Sequence, residues 1–199
     1  MSQANFAQTL VRHYQTQPDL AILHLLFSNQ PAQALTYRDL LNGSLAYAKE
    51  LARAGIQPGE VVVLILQHGP SLPYAFFGAV LHGAIPSILP FLTEKLSPDQ
   101  YRRALAALFE VTAPAGVITY PEFESEVLHA LADRPNSVRQ IILDAHIQLE
   151  SEIRLAGWAG LECHPEEIVL LQHSSGTTGL QKGVALSHQA IFNQLDSLS

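Results

Sequence analysis

Short apolar runs alternate along this chain with polar turns and with stretches whose apolar residues follow helical spacing. "AILHLLFSNQPAQALTY" reads as two strands around a polar turn at Ser28 to Gln33. "TYRDLLNGSLAYAKELARAG" then predicts a helix, with Leu41, Leu45, Ala48 and Ala52 at helical spacing. Thr36 is placed to cap it, Asp39 suits its positive end, and Gly55 supplies the left-handed residue that stops it. After the turn "IQPGE" comes "VVVLIL", Val61 to Leu66, an unbroken apolar run. Such runs suit strands buried on both faces, as in parallel sheets.

The alternation continues. "SLPYAFFGAVLHG" predicts a helix opened by Ser71 and closed by Gly83, followed by a short strand, "AIPSIL". "SPDQYRRALAALFEVT" carries Ser97 at the cap and Pro98 at the first helical position, a strong start signal. "AGVITY", "PEFESEVLHALADR" and "VRQIIL" follow as strand, helix and strand. Asp144 to Pro165 reads as an irregular connection carrying Trp158, and "EEIVLLQHS" resumes as a strand. "GVALS" is a further strand, and Ser187 caps a last helix, "HQAIFNQLDSL". Strands separated by helices of this length predict an α/β fold, a mostly parallel sheet with helices on both faces. The apolar Ile191, Phe192 and Leu195 need a packing surface, so the chain reads as if cut just after a new element begins.

Composition narrows the function classes. The chain has 199 residues, 48% hydrophobic and 15% charged, with a formal net charge of −7. A basic stripe able to release counterions from a phosphate backbone is missing, which argues against a nucleic-acid partner. The first residues lack the basic-then-apolar order of a signal peptide. No transmembrane segment is expected, because the longest apolar stretch is broken by Pro73, His82, Pro86 and Pro90. The single cysteine, Cys163, excludes an internal disulfide, which fits a cytoplasmic protein.

The candidate chemistry sits in "LLQHSSGTTGLQKGVALSH", Leu170 to His188. A loop after a buried strand emerges at the carboxyl-end edge of the sheet, where open α/β sheets place ligands. Gly176, Gly179 and Gly183 allow tight turns and close backbone approach. Ser174, Ser175, Thr177 and Thr178 add hydroxyl donors, and successive N–H groups can form an anion-binding concavity. Lys182 brings a mobile point charge, the usual part of a phosphate-loop lysine. The spacing is not that of a P-loop NTPase, which places Ser or Thr after its Lys, whereas Gly183 follows Lys182. From the residues alone, a ligand-free Gly/Ser/Thr surface loop stays open beside the phosphate loop.

"SSGTTGLQKGVALSH" closely resembles the signature loop of the adenylate-forming superfamily, which includes acyl- and aryl-CoA synthetases, peptide-synthetase adenylation domains and fatty-acyl-AMP ligases. Ser174 through Val184 match its pattern except that Gln181 stands where Pro is usual. The stretch from Leu35 to Pro90 is similar to the family's N-terminal part, with Glu60 at the acidic position after Gly59. The resemblance covers about Ala34 to His188, in order. It implies the N-terminal part of the large domain of an adenylate-forming enzyme. Residues 1–35 form an N-terminal arm with a hairpin, and residues 166–199 carry a strand, the phosphate loop, a strand and the start of a helix.

The implied reaction has two steps. A carboxylic acid and ATP give an acyl-AMP and pyrophosphate, with Mg²⁺ sharing the charge. CoA or a carrier-protein phosphopantetheine then takes the acyl group. By carry-over Ser174, Ser175, Gly176, Thr177, Thr178, Gly179 and Lys182 contact the β- and γ-phosphates. The family's catalytic residues lie in segments beyond Ser199, so these 199 residues alone are expected to be inactive. A fatty-acyl-CoA synthetase is the first reading, within fatty acid metabolism. An adenylation domain or acyl-AMP ligase serving an acyl carrier protein is the second. A non-catalytic nucleotide- or protein-binding α/β module is the alternative of another class.

Other residues carry blander readings. His164, His173 and His188 match no zinc spacing, so no metal site is expected. His188 reads as a family-typical start to the last helix, and Cys163 as a packed or idle thiol. Glu122, Glu124 and Glu126 do not share a helical face and read as solvated surface. Tyr74, Phe76 and Phe77 read as core packing, with a wall toward an acyl pocket as the alternative.

Overall fold

The apolar run at Val61 becomes a central strand of a four-stranded parallel sheet. The computed structural model describes residues 5–91, 97–132, 137–149, 153–174 and 182–198. In chain order these form α1 (Phe6–Thr16), β1 (Ala21–Phe27), β2 (Gln30–Thr36), α2 (Tyr37–Arg53), β3 (Val61–Ile65), α3 (Ser71–His82) and β4 (Ile85–Ile88). They continue with α4 (Pro98–Thr112), β5 (Gly116–Thr119), α5 (Glu124–Ala132), β6 (Gln140–Leu143), β7 (Ile168–Ser174), β8 (Lys182–Ser187) and α6 (His188–Leu198). Single 3-10 turns lie at Pro121–Phe123, Asp144–His146 and Ala159–Leu161.

The parallel sheet has the order β4-β3-β5-β6, with Val63 level with Ser87 on one side and Val117 on the other. A parallel connection needs a crossover of about a dozen residues or more, usually a helix. Helices α3, α4 and α5 supply those crossovers. Only residues 175–181 separate β7 from β8, and these two strands pair antiparallel. The β1–β2 hairpin is likewise separate and antiparallel.

Alternate residues of β3 serve opposite faces of the sheet. Val62 and Leu64 pack with Tyr47, Leu51, Ala75 and Ala79 of α2 and α3. Val63 and Ile65 pack with Leu105, Phe109 and Val127 of α4 and α5. All four strand residues are fully buried. Each such burial is favourable by about 1.5–3 kcal/mol, which explains why an uninterrupted apolar run is found here. Helices on both faces are thus the expected architecture realised.

The caps follow the sequence closely. Asp39 N–H donates to Thr36 Oγ1, while Asp39 Oδ2 accepts from the Thr36 N–H at 2.9 Å. Ser97 and Gln100 form the same reciprocal pair at α4, where Pro98 is the first helical residue. Gly55 (φ +72°) and Gly83 (φ +87°) take the left-handed conformation at the ends of α2 and α3. Ala52 is exposed, however, and Leu51 fills the core in its place. Ser71 starts α3 but does not cap it; Pro70 holds that position with no side-chain cap bond. The first hairpin turns at Ser28–Asn29, so Gln33 lies in β2 rather than in the turn.

Helix α1 adds an element beyond those predicted, opened by a reciprocal Asn5–Gln8 cap. It lies against the segment before β7: Asn5 Nδ2 donates to the Cys163 carbonyl at 2.8 Å, and Gln8 Nε2 to Leu161 at 2.8 Å. The turn Ala159–Leu161 in turn rests on the end of α3. A Cβ on Gly160 would overlap the Val80 carbonyl oxygen and lie 2.7 Å from that of Leu81. Among the described residues no helix is long and apolar enough to cross a membrane.

Candidate functional site

Strands β7 and β8 carry the two ends of the signature loop. Their register pairs Gln172 with Val184, His173 with Gly183, and Ser174 with Lys182. Ser175, Gly176, Thr177, Thr178 and Gly179, with Gln181, lie outside the described residues. Ser174 and Lys182 are placed as facing backbone positions at the mouth of the loop. The described residues on either side of positions 175–181 therefore meet at one point of the fold.

That point is fixed relative to the parallel sheet. Strand β7 runs against β4, and His173 Nε2 lies 3.0 Å from Ser87 Oγ. Both residues are next to last in their strands, so the end of β7 lies at the carboxyl end of β4. This is the edge at which open α/β sheets hold ligands. Ile85 N–H donates to Glu60 O and Leu89 N–H to Leu64 O, on the β3 side. Pro86, between them, has no N–H to offer the other edge, and β4 ends its ladder there.

His173 is half-buried, and burial pushes its pKa below the ordinary histidine value, keeping the ring neutral. Among the described residues its buried Nδ1 has no hydrogen-bond partner. Gly183 lies opposite it, where a Cβ would meet the ring's Cε1 at an ordinary contact distance of 3.5 Å. Sequence reasoning noted His173 only as a flank of the loop. Its partner is 86 residues away on another strand, and no local signal announces the pair.

The Ser-His pair after β8 joins α6 to α1. Ser187 Oγ accepts the Ala190 N–H at 3.1 Å, the expected cap. His188 is buried, and its Nδ1 accepts the Phe6 N–H at 3.1 Å. Phe6 stacks on Phe192 with ring centroids 4.7 Å apart. An imidazole accepting a backbone N–H must be neutral, and burial lowers the His188 pKa accordingly. Its contribution to stability is therefore complete above the unfolded value of about 6.5 and is lost as pH falls below it toward the folded pKa. Urea unfolding should show stability falling from pH 7.5 to 5.5, and His188→Asn should flatten that slope. An unchanged slope in the variant would remove His188 as its source; His173 contributes with the same sign.

The remaining candidates resolve simply. Cys163 is half-buried, with burial raising its pKa, so its thiol is the packed group expected. Glu126 differs from the solvated reading: Arg102 on α4 holds its carboxylate through two bonds of 2.6 and 2.9 Å. The Arg102 guanidinium keeps its pKa below the usual carboxylate range. Phe76 and Phe77 meet edge to face at 5.2 Å and, with Tyr74, pack on the α1–α2–α3 core. A cleft of about 420 Å³ beside β6, lined by Glu50, Arg53, Glu124 and His146 among others, contains no residue of the signature loop. Among the described residues no cluster of three His, Cys, Asp or Glu could hold a metal ion.

A parallel sheet wrapped by helices on both faces is the architecture of the N-terminal domain of adenylate-forming enzymes. The chain belongs to the AMP-binding enzyme family, whose model matches residues 10–199. A 4-coumarate–CoA ligase of Humulus lupulus is 31% identical over 174 residues, which cover 85% of this chain and 31% of the relative. A 4-hydroxybenzoate–CoA/benzoate–CoA ligase of Rhodopseudomonas palustris is 31% identical over 167 residues, covering 80% and 30%. The chain thus spans about a third of the length of the curated relatives it matches. Among solved structures, a fatty acyl-adenylate ligase from L. pneumophila with acyl adenylate and pyrophosphate superimposes with a TM-score of 0.78. It is 21% identical, covers 96% of this chain and 32% of its own, and so shares the fold.

Proposed function

We propose that residues 1–199 are the N-terminal α/β portion of the AMP-binding domain of a carboxylate-activating ligase. The observation that carries this reading is the Ser174–Val184 run, whose flanking strands pair with each other beside β4, within a family match of nearly the whole chain. In this reaction a carboxylate oxygen attacks the α-phosphorus of ATP, and the bond to pyrophosphate breaks. A thiolate sulfur then attacks the acyl carbon and AMP leaves. Ser174, Ser175, Gly176, Thr177, Thr178, Gly179 and Lys182 hold the β- and γ-phosphates through N–H, hydroxyl and ammonium donors.

The names of the curated relatives favour an aryl carboxylic acid, with CoA as acceptor, over the fatty acid expected from sequence. The test is ATP–pyrophosphate exchange on the polypeptide as its gene encodes it and on residues 1–199 alone. Cinnamic-type, benzoic-type and fatty acids are supplied in turn. Aryl-dependent exchange in the first, and none in the second, is the expected result. Exchange only with fatty acids reverses the substrate class, and no exchange with any acid rejects the ligase reading in favour of a non-catalytic α/β module.

A further inference from the structure

We propose that α1 is a pH-released strap, which a proton on His188 opens at its N-terminal end while the sheet and its helices hold. Every contact in it joins described residues, and it does not rest on the ligase reading. Phe6 is the first residue of α1 and His188 the first of α6, and the Phe6 N–H donates to His188 Nδ1 at 3.1 Å. Two helix N-termini therefore converge on one buried imidazole. Each carries partial positive charge, and neither first turn contains an acidic residue to offset it. A protonated imidazole donates from both nitrogens and accepts at neither. The same proton thus removes the bond to Phe6 and places a positive charge between two positive helix ends.

The neighbouring charges do not change that sign. Burial holds the His188 pKa below the ordinary histidine value, and the Glu167 carboxylate, before β7, opposes it in lesser measure. That carboxylate also accepts the His164 N–H. The other titratable groups around the ring are engaged elsewhere or face solvent. His13 of α1 stacks on Tyr37, His82 of α3 bonds the Ile56 carbonyl, and Cys163 lies against the Ala159 carbonyl. Arg12, Glu162, His164, Glu166 and Asp196 are exposed.

The two ends of α1 are held unequally. Only Ala7 and Leu10 of its eleven residues are buried, so little apolar contact secures it. Its N-terminal end relies on side-chain bonds, from Phe6 to His188, Asn5 to Cys163 and Gln8 to Leu161. Its C-terminal end is tied by backbone, Arg38 N–H to the Pro18 carbonyl at 2.8 Å, and by the Arg38–Asp19 ion pair. Opening therefore starts at Asn5 and hinges at Pro18. An isolated helix of 11 residues is marginal in water, so a freed α1 unwinds.

A freed His188 titrates near the ordinary value of about 6.5, above its value in the closed strap. Closure is thus fully supported above about pH 6.5 and weakens as pH falls toward the closed-state pKa. Amide hydrogen exchange reads this on the polypeptide as its gene encodes it. After allowance for the intrinsic pH dependence of exchange, protection at Phe6–Leu10 should fall about three- to tenfold from pH 7.5 to 5.5. Urea should hardly change exchange there, whereas at β3 it should accelerate exchange steeply. Equal urea dependence at both would mean that α1 leaves only with global unfolding, and would overturn the proposal. His188→Asn puts an acceptor oxygen that does not titrate near the place of Nδ1, and its α1 should stay protected at both pH values. His188→Phe has no acceptor, and its α1 should be equally open at both. An α1 in His188→Phe as protected as wild type at pH 7.5 would overturn the strap. So would a pH dependence in His188→Asn as large as that of wild type, which decides the matter even if His188→Phe does not fold.

Discussion

Lys182→Ala should lower carboxylate-dependent ATP–pyrophosphate exchange by about 10²–10³-fold, the loss typical when one preorganised donor to a developing anion is removed. Lys182 faces Ser174 across the mouth of the hairpin, at the carboxyl end of β4. In the proposed reaction a charge on a flexible stem follows the phosphates as pyrophosphate separates. Its removal should act on chemistry rather than on folding. A hairpin-end position of this kind contributes within about ±0.5 kcal/mol to stability. Urea unfolding of the variant should match wild type, and exchange within a factor of two of wild type would take Lys182 out of the mechanism.

The largest expected effect on stability is at Gly160. Gly160→Ala would drive a methyl group into the Val80 carbonyl, with that of Leu81 also within 2.7 Å. The neighbouring atoms are backbone at the end of α3, which cannot swing aside as a side chain can. The turn Ala159–Leu161 must move, and Leu161 and Cys163 also accept the bonds that hold Asn5 and Gln8 of α1. Overpacking of this kind costs about 1–3 kcal/mol, and the backbone clash puts this case at about 3. At about 2–4 °C per kcal/mol for a domain of this size, Tm should fall by about 6–12 °C. A fall of under 2 °C would mean that the segment shifts off α3 at little cost.

Most of the fold could be read in the chain because its determinants are local. Thr36 with Asp39, Ser97 with Pro98, and the left-handed Gly55 and Gly83 each act within one turn of the element they end. The β3 run could be recognised because burial on both faces leaves no polar position in it. Helix α1 lies beyond the elements that apolar spacing predicts, although Asn5 and Gln8 three residues apart carry the signal of a reciprocal cap. Glu126 was misread because its partner Arg102 stands on a different helix, where helical spacing says nothing. The site divides in the same way. The signature run is legible as a family motif, while the His173–Ser87 and His188–Phe6 contacts join strands and helices 86 and 182 residues apart.

That last contact has a consequence for synthesis on the ribosome. The N–H of Phe6 waits for an acceptor that lies 182 residues further along the chain. At about 5–20 residues per second the interval is about 10–40 s. Meanwhile α1 can form its turns and cover part of α2 and α3, but the bonds to Leu161 and Cys163 wait for acceptors 153 and 158 residues on, and the bond to His188 waits longest. The first helix of the chain is therefore among the last pieces locked. A nascent chain halted short of His188 would present the apolar face of α1 without its latch, the kind of surface that chaperones hold.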